Sequence, residues 1–84
     1  MAKKDKLIER FLQNPKDFSW AELVRLLKGF GYQEVTLGKT GGSRRRFVHE
    51  TLPTITLHKP HPKDILKSYQ LKQIRELLEQ EDVV

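Results

Sequence analysis

No cysteine occurs in this chain, which excludes a disulfide framework, a thiolate metal site and a thiol nucleophile, and points to a reducing compartment. Long apolar runs are missing too. None approaches the roughly 20 residues that a membrane helix needs, so no membrane span or membrane partner is expected. Met1-Ala2-Lys3-Lys4-Asp5-Lys6 leads into no apolar signal core, and a cytoplasmic protein is the expectation. Acidic residues are in deficit, 11 against 16 lysines and arginines, and the resulting +5 favours nucleic acid or an acidic protein surface as partner. Repeats and low-complexity tracts are absent. The 84 residues suffice for one small domain with one modest core.

Within that small chain the apolar residues are strongly patterned. Leu7, Ile8, Phe11 and Leu12 carry helical spacing over residues 3–13, and Asn14-Pro15 ends the helix because a residue before proline is pushed out of helical geometry. Ser19 with Glu22 three residues on has the spacing of a capping box. It predicts a second helix over 19–28, with Trp20, Leu23, Leu26, Leu27 and Phe30 as core and Gly29 and Gly31 at its end. From Tyr32 to Leu37 polar and apolar residues alternate. Val35 and Leu37 share one face and Glu34 and Thr36 the other, as in a half-buried strand with its apolar pair inward. A second strand is predicted over 44–49 and a third over 54–58, with Ile55 and Leu57 inward. Lys59-Pro60-His61-Pro62-Lys63 then reads as a rigid extended loop. Ser68 is the expected cap of a last helix whose apolar face is Leu71, Ile74, Leu77 and Leu78. Residues 1–18 read as an N-terminal helical extension and 19–84 as the domain proper.

The chemistry concentrates in Lys39 to His49, K-T-G-G-S-R-R-R-F-V-H. Four cations fall in eight positions, Lys39, Arg44, Arg45 and Arg46, and the Gly41-Gly42 turn sets the arginines at the start of a strand. In isolation such a run also suits a merely solvated hairpin. Alternation puts Arg44 and Arg46 on the face opposite Phe47, and Arg45 on the Phe47 side. Thr54, Thr56 and His58 take the outer face of the third strand. Opposed residues of an antiparallel pair share a face, so His58 is expected directly across from Arg44 or Arg46. Between Lys39 and Lys67 there are seven cations, Lys39, Arg44, Arg45, Arg46, Lys59, Lys63 and Lys67, against two acids. Those cations, with Ser43, are the candidate nucleic-acid contacts. His58, Arg44, Arg46 and His61 are the candidate catalytic residues.

Among nucleic-acid partners, an RNA would carry its own nucleophile. A minimal ribonuclease needs a base for the 2′-hydroxyl, a cation for the developing phosphorane charge and an acid for the leaving oxygen. Histidines and arginines can supply all three without a cofactor. His49 reads as peripheral and structural. A metal site is poorly supported, since His58 and His61 straddle a proline and most acids lie on helices. Gly41-Gly42-Ser43 lacks the strand, loop and helix context of a phosphate-binding loop for nucleotides.

Three segments resemble the HicA toxins, the small ribonucleases of HicAB toxin-antitoxin pairs. They are S-W-A-E-L-V-R-L-L-K-G-F-G-Y at 19–32, G-S-R-R-R-F at 42–47 and P-H-P-K-D-I-L-K at 60–67. The resemblance implies an α+β fold of double-stranded RNA-binding-domain type. Its order is α-β-β-β-α, a three-stranded antiparallel sheet with helices on one face, here plus an extra N-terminal helix. It also implies metal-independent cleavage of mRNA and a HicB-like antitoxin as partner. One departure stands out. The family motif usually reads Gly-Ser-His, its histidine taken as catalytic, where this chain has Gly42-Ser43-Arg44. Guanidinium stays protonated, so Arg44 cannot inherit the role of a base. Either another histidine, His58 or His61, transfers the proton, or the arginines act by charge alone, or the chain is a non-catalytic module that binds RNA or its antitoxin.

Overall fold

The computed structural model describes residues 2–36 and 44–84. Its elements are α1 (Ala2–Leu12), α2 (Trp20–Gly29), β1 (Gln33–Thr36), β2 (Arg44–Val48), β3 (Ile55–His58) and α3 (Ser68–Gln80). The strands form one antiparallel sheet in the order β1-β2-β3, an α+β fold consistent with the expected architecture. The expected Gly38–Ser43 turn lies outside the described residues, as do Leu37, Lys39 and Ser43.

Helix α2 begins and ends where its sequence dictates. The Ser19 hydroxyl accepts from the Glu22 amide at 3.1 Å, and the Glu22 carboxylate accepts from the Ser19 amide at 2.9 Å, completing the capping box. At the other end Gly31 takes φ +101°, and the Tyr32 and Gly31 amides donate to the Leu27 and Lys28 carbonyls. That is a Schellman ending, and it needs glycine twice over. A Cβ at Gly31 would lie 2.9 Å from the His49 Nε2 atom.

The core lies between the helices and one face of the sheet. Trp20 packs on Phe47 with ring centroids 5.7 Å apart, and Leu23, Leu26, Leu27, Leu71, Ile74 and Leu78 close over Phe47 and Ile55. The chain between β3 and α3 turns back onto the start of α2. Trp20 N–H donates to the Asp64 carbonyl and Leu66 N–H to the Phe18 carbonyl, which buries Leu66 and Phe18 together. Helix α1 joins the same core through Phe11, 1% exposed, which meets the Phe18 ring at 5.7 Å. Arg75 fastens its end by donating to the Leu12 carbonyl at 3.1 Å.

Three local expectations are corrected. Val35 does not face the core: it pairs with Arg46 and is 40% exposed. The parity of β1 is set by Tyr32, which is buried, and by Glu34, which stands opposite Phe47 and reaches Arg45 at 3.6 Å. Ser68 is not the cap of α3 either. Lys67 occupies that position, and its amide donates to the Gln70 side chain at 3.0 Å. The 61–63 stretch bends rather than running extended, with a cis bond between His61 and Pro62.

Arg10 joins α1 to the head of α2. Its Nε donates to Glu22 at 2.8 Å and its Nη2 to the Asp17 carboxylate at 3.0 Å. The Arg10 hydrogen bonds, then the Ser19 amide, hold the Glu22 carboxyl below the ordinary glutamate value of 4.5, against a desolvation that pushes it up. A carboxyl so lowered stabilises the fold above its ordinary range and loses that contribution as pH falls through the folded value. Glu22→Gln keeps an acceptor for Ser19 but loses the charge. It should cost on the order of 0.5–1 kcal/mol at neutral pH, since the pair is partly solvated. Urea midpoints of wild type and variant should converge in acid. A gap that persists below about pH 3 would show that charge is not the cause.

Candidate nucleic-acid interface

Strand alternation sorts the functional side chains onto two faces. On β2, Phe47 must point at Trp20, so Arg44 and Arg46 point away from the helices. Register extends this across the sheet: Gln33 pairs with Val48, Val35 with Arg46, Arg46 with Thr56 and Arg44 with His58. Arg44, Arg46, Thr56 and His58 are all exposed, so among the described residues no helix covers this side. Directly opposed residues of an antiparallel pair share a face, which sets Arg44 and His58 at adjoining positions on it. None of these outward positions carries a carboxylate. Among the described residues, neither Arg44 nor Arg46 forms an ion pair.

Arg45 is separated from that pair. It lies on the helix side opposite Thr36 and Leu57, half-buried, with its Nε 3.6 Å from Glu34 and its Nη1 donating to the Arg44 carbonyl at 3.1 Å. Lys59 is 3.9 Å from Asp64. Lys63, Lys67 and His61 are exposed in the β3–α3 connection. Among the described residues, no three His, Asp or Glu side chains gather as metal ligands, and no helix is long and apolar enough to cross a membrane.

A model of the family described as HicA toxin of bacterial toxin-antitoxin matches residues 20–81. The chain belongs to the HicA toxin family. The matched stretch opens on the first residue of α2 and closes just after α3, leaving α1 outside. Membership makes this HicA chain the toxin of a toxin-antitoxin pair, and toxins of the family are generally ribonucleases. No curated protein and no solved structure matches it.

The other two features of this end of the HicA fold are structural. His49 follows β2 and folds back. Its Nδ1 accepts from the Thr51 and Leu52 amides at 3.0 and 3.1 Å, and its Nε2 lies 2.9 Å from the Phe30 carbonyl. Two donors at Nδ1 leave the proton on Nε2, where it is donated to Phe30. Tyr32 donates to the Pro53 carbonyl at 2.8 Å, and burial, with the charge of Glu81, pushes its phenol up, so it remains a donor. These bonds anchor the β2–β3 connection. Gln70 is a site contact that reading the sequence missed: only 6% exposed, it donates from Nε2 to the His58 carbonyl at 3.0 Å. Its signal was a polar residue beside Leu71 and four before Ile74, on an otherwise apolar helix face.

Proposed function

We propose that this HicA chain is a metal-independent endoribonuclease that cuts mRNA lying across the open face of the sheet. The reading rests on one observation: the exposed pairing of Arg44 with His58, beside Arg46, on a face whose described strand positions hold no carboxylate. RNA supplies the 2′-hydroxyl. His58 takes its proton, imidazole being the side chain that exchanges protons near neutral pH. Arg44 faces the charge that builds on the phosphorane, and Arg46 holds the neighbouring phosphate. His61, three residues beyond His58, is the candidate acid for the leaving oxygen. Lys59, Lys63 and Lys67 extend the phosphate track, as do Lys39 and Ser43 by sequence, and Arg45 adds charge from the strand's other side. A HicB-like antitoxin neutralises the toxin by covering this basic face. The departure from Gly-Ser-His supports moving proton transfer one strand over, to the histidine that Arg44 faces.

Incubation of purified protein with RNA in excess chelator tests this, with cleavage as the expected result. The Arg44→Glu/Arg46→Glu double variant should lose about 100-fold in RNA affinity at low salt, and the salt slope of the remaining binding should flatten by about two. Stability should hold, because both side chains are exposed. RNA binding without cleavage in wild type would favour the non-catalytic module instead.

A further inference from the structure

We propose that Gln70 is a positioning residue for cleavage, fixing the main chain of His58 so that its imidazole stands where Arg44 can share a phosphate with it. This rests on the reading of the open face as the cleavage site. His58 is the last residue of β3, and β3 is an outer strand of the sheet, with no strand beyond it among the described residues. Helix α3 holds the strand's end instead. Gln70 is the buried polar side chain of the described core, and both ends of its amide are used: Nε2 donates to the His58 carbonyl at 3.0 Å, and Oε1 accepts from the Lys67 amide at 3.0 Å.

The consequence is a continuous path of fixed groups. Leu71, Ile74 and Leu78 seat α3 in the core, each at most 4% exposed, and Gln70 carries that fixed frame to the backbone from which the imidazole projects. A buried amide with both halves bonded has one orientation, because turning it would place like against like at two sites. The end of β3 is therefore as well placed as the core itself. Positional error at a proton-transferring group is costly: a displacement near 1 Å lowers rates by about 100-fold.

The bond to His58 can be removed with little change of shape. Gln70→Glu keeps the size and the acceptor for Lys67, but loses the donor and sets a carboxylate against the His58 carbonyl. Gln70→Met fills the space without charge and reads the same loss should the glutamate variant not fold. Val24→Ala trims the packing of α2, outside the path from α3 to β3, and serves as a control for stability alone. In steady-state cleavage of RNA, kcat should fall between about 10- and 100-fold in the two Gln70 variants, with KM and the RNA dissociation constant unchanged. Val24→Ala should keep the wild-type kcat. The imidazole resonances of His58 should shift in both Gln70 variants while those of His49 stay in place. If folded Gln70→Glu and Gln70→Met cut within about twofold of wild type while His58→Ala is inactive, the positioning role is wrong and the cleavage site stands. If His58→Ala cuts like wild type, both readings fall.

Discussion

His58→Ala is expected to lower kcat for RNA cleavage by roughly 10²- to 10⁴-fold, the usual worth of a positioned acid or base. RNA affinity should change little, because the proposed site assigns phosphate binding to the arginines across the sheet. The split matters more than the loss. A histidine that merely bound RNA would raise KM and leave kcat alone, whereas one that moves a proton in the transition state lowers kcat at constant KM. Folding should be unaffected, since the side chain is exposed at the end of β3. His61→Ala is the companion experiment. As the acid for the leaving oxygen it should also lower kcat, whereas an inactive His61→Ala beside a fully active His58→Ala would show that the Pro-His-Pro loop carries the base. Either outcome is read from the same pair of progress curves.

Phe11→Ala should produce the largest loss of stability, about 3–5 kcal/mol, as deletion of a buried aromatic ring does. The ring is 1% exposed and lies against Phe18, which is itself fully buried. Small domains hold only about 5–15 kcal/mol in total, so much of this one's stability would go. The substitution reports whether α1, which lies outside the family match, is part of the folding unit. Three attachments say that it is: Phe11 in the core, Arg10 on Glu22 and Asp17, and Arg75 on the Leu12 carbonyl. Equilibrium urea unfolding measures the change. A loss below about 1 kcal/mol would mean that α1 frays from a domain that is complete without it.

Where local chemistry dictates geometry, the sequence was legible. Ser19 and Glu22 have the spacing of a capping box and form one, and Gly31 stands where a helix ending demands a positive φ. That His58 would stand across from Arg44 or Arg46 followed from alternation, because Phe47 and Ile55 mark the inward face, and the register selects Arg44. Val35 misled for a physical reason. In a four-residue outer strand the apolar side chain is not forced inward: the buried anchor is Tyr32, and Glu34 can sit on the inner side because Arg45 snorkels out to meet it. Alternation gives two faces but no sign without such an anchor. Other features are long-range and carry no local signal. The return of residues 64–66 onto the start of α2 joins segments more than forty positions apart. The bond from Gln70 to His58 likewise depends on where α3 lands on the edge of the sheet. Ser68 failed as a cap because Gln70, three residues after Lys67, already satisfies the amide there.

The chemistry of the cut ends bears most directly on cleavage at the Arg44–His58 pair. With a base taking the proton of the 2′-hydroxyl, wild-type protein in excess chelator should leave a 2′,3′-cyclic phosphate on one fragment and a 5′-hydroxyl on the other. An RNA carrying a single 2′-deoxynucleotide at the cut site should stay intact there. Fragments ending in 3′-hydroxyl and 5′-phosphate, or cutting at the deoxynucleotide, would require water rather than the RNA itself as nucleophile and would contradict the site described.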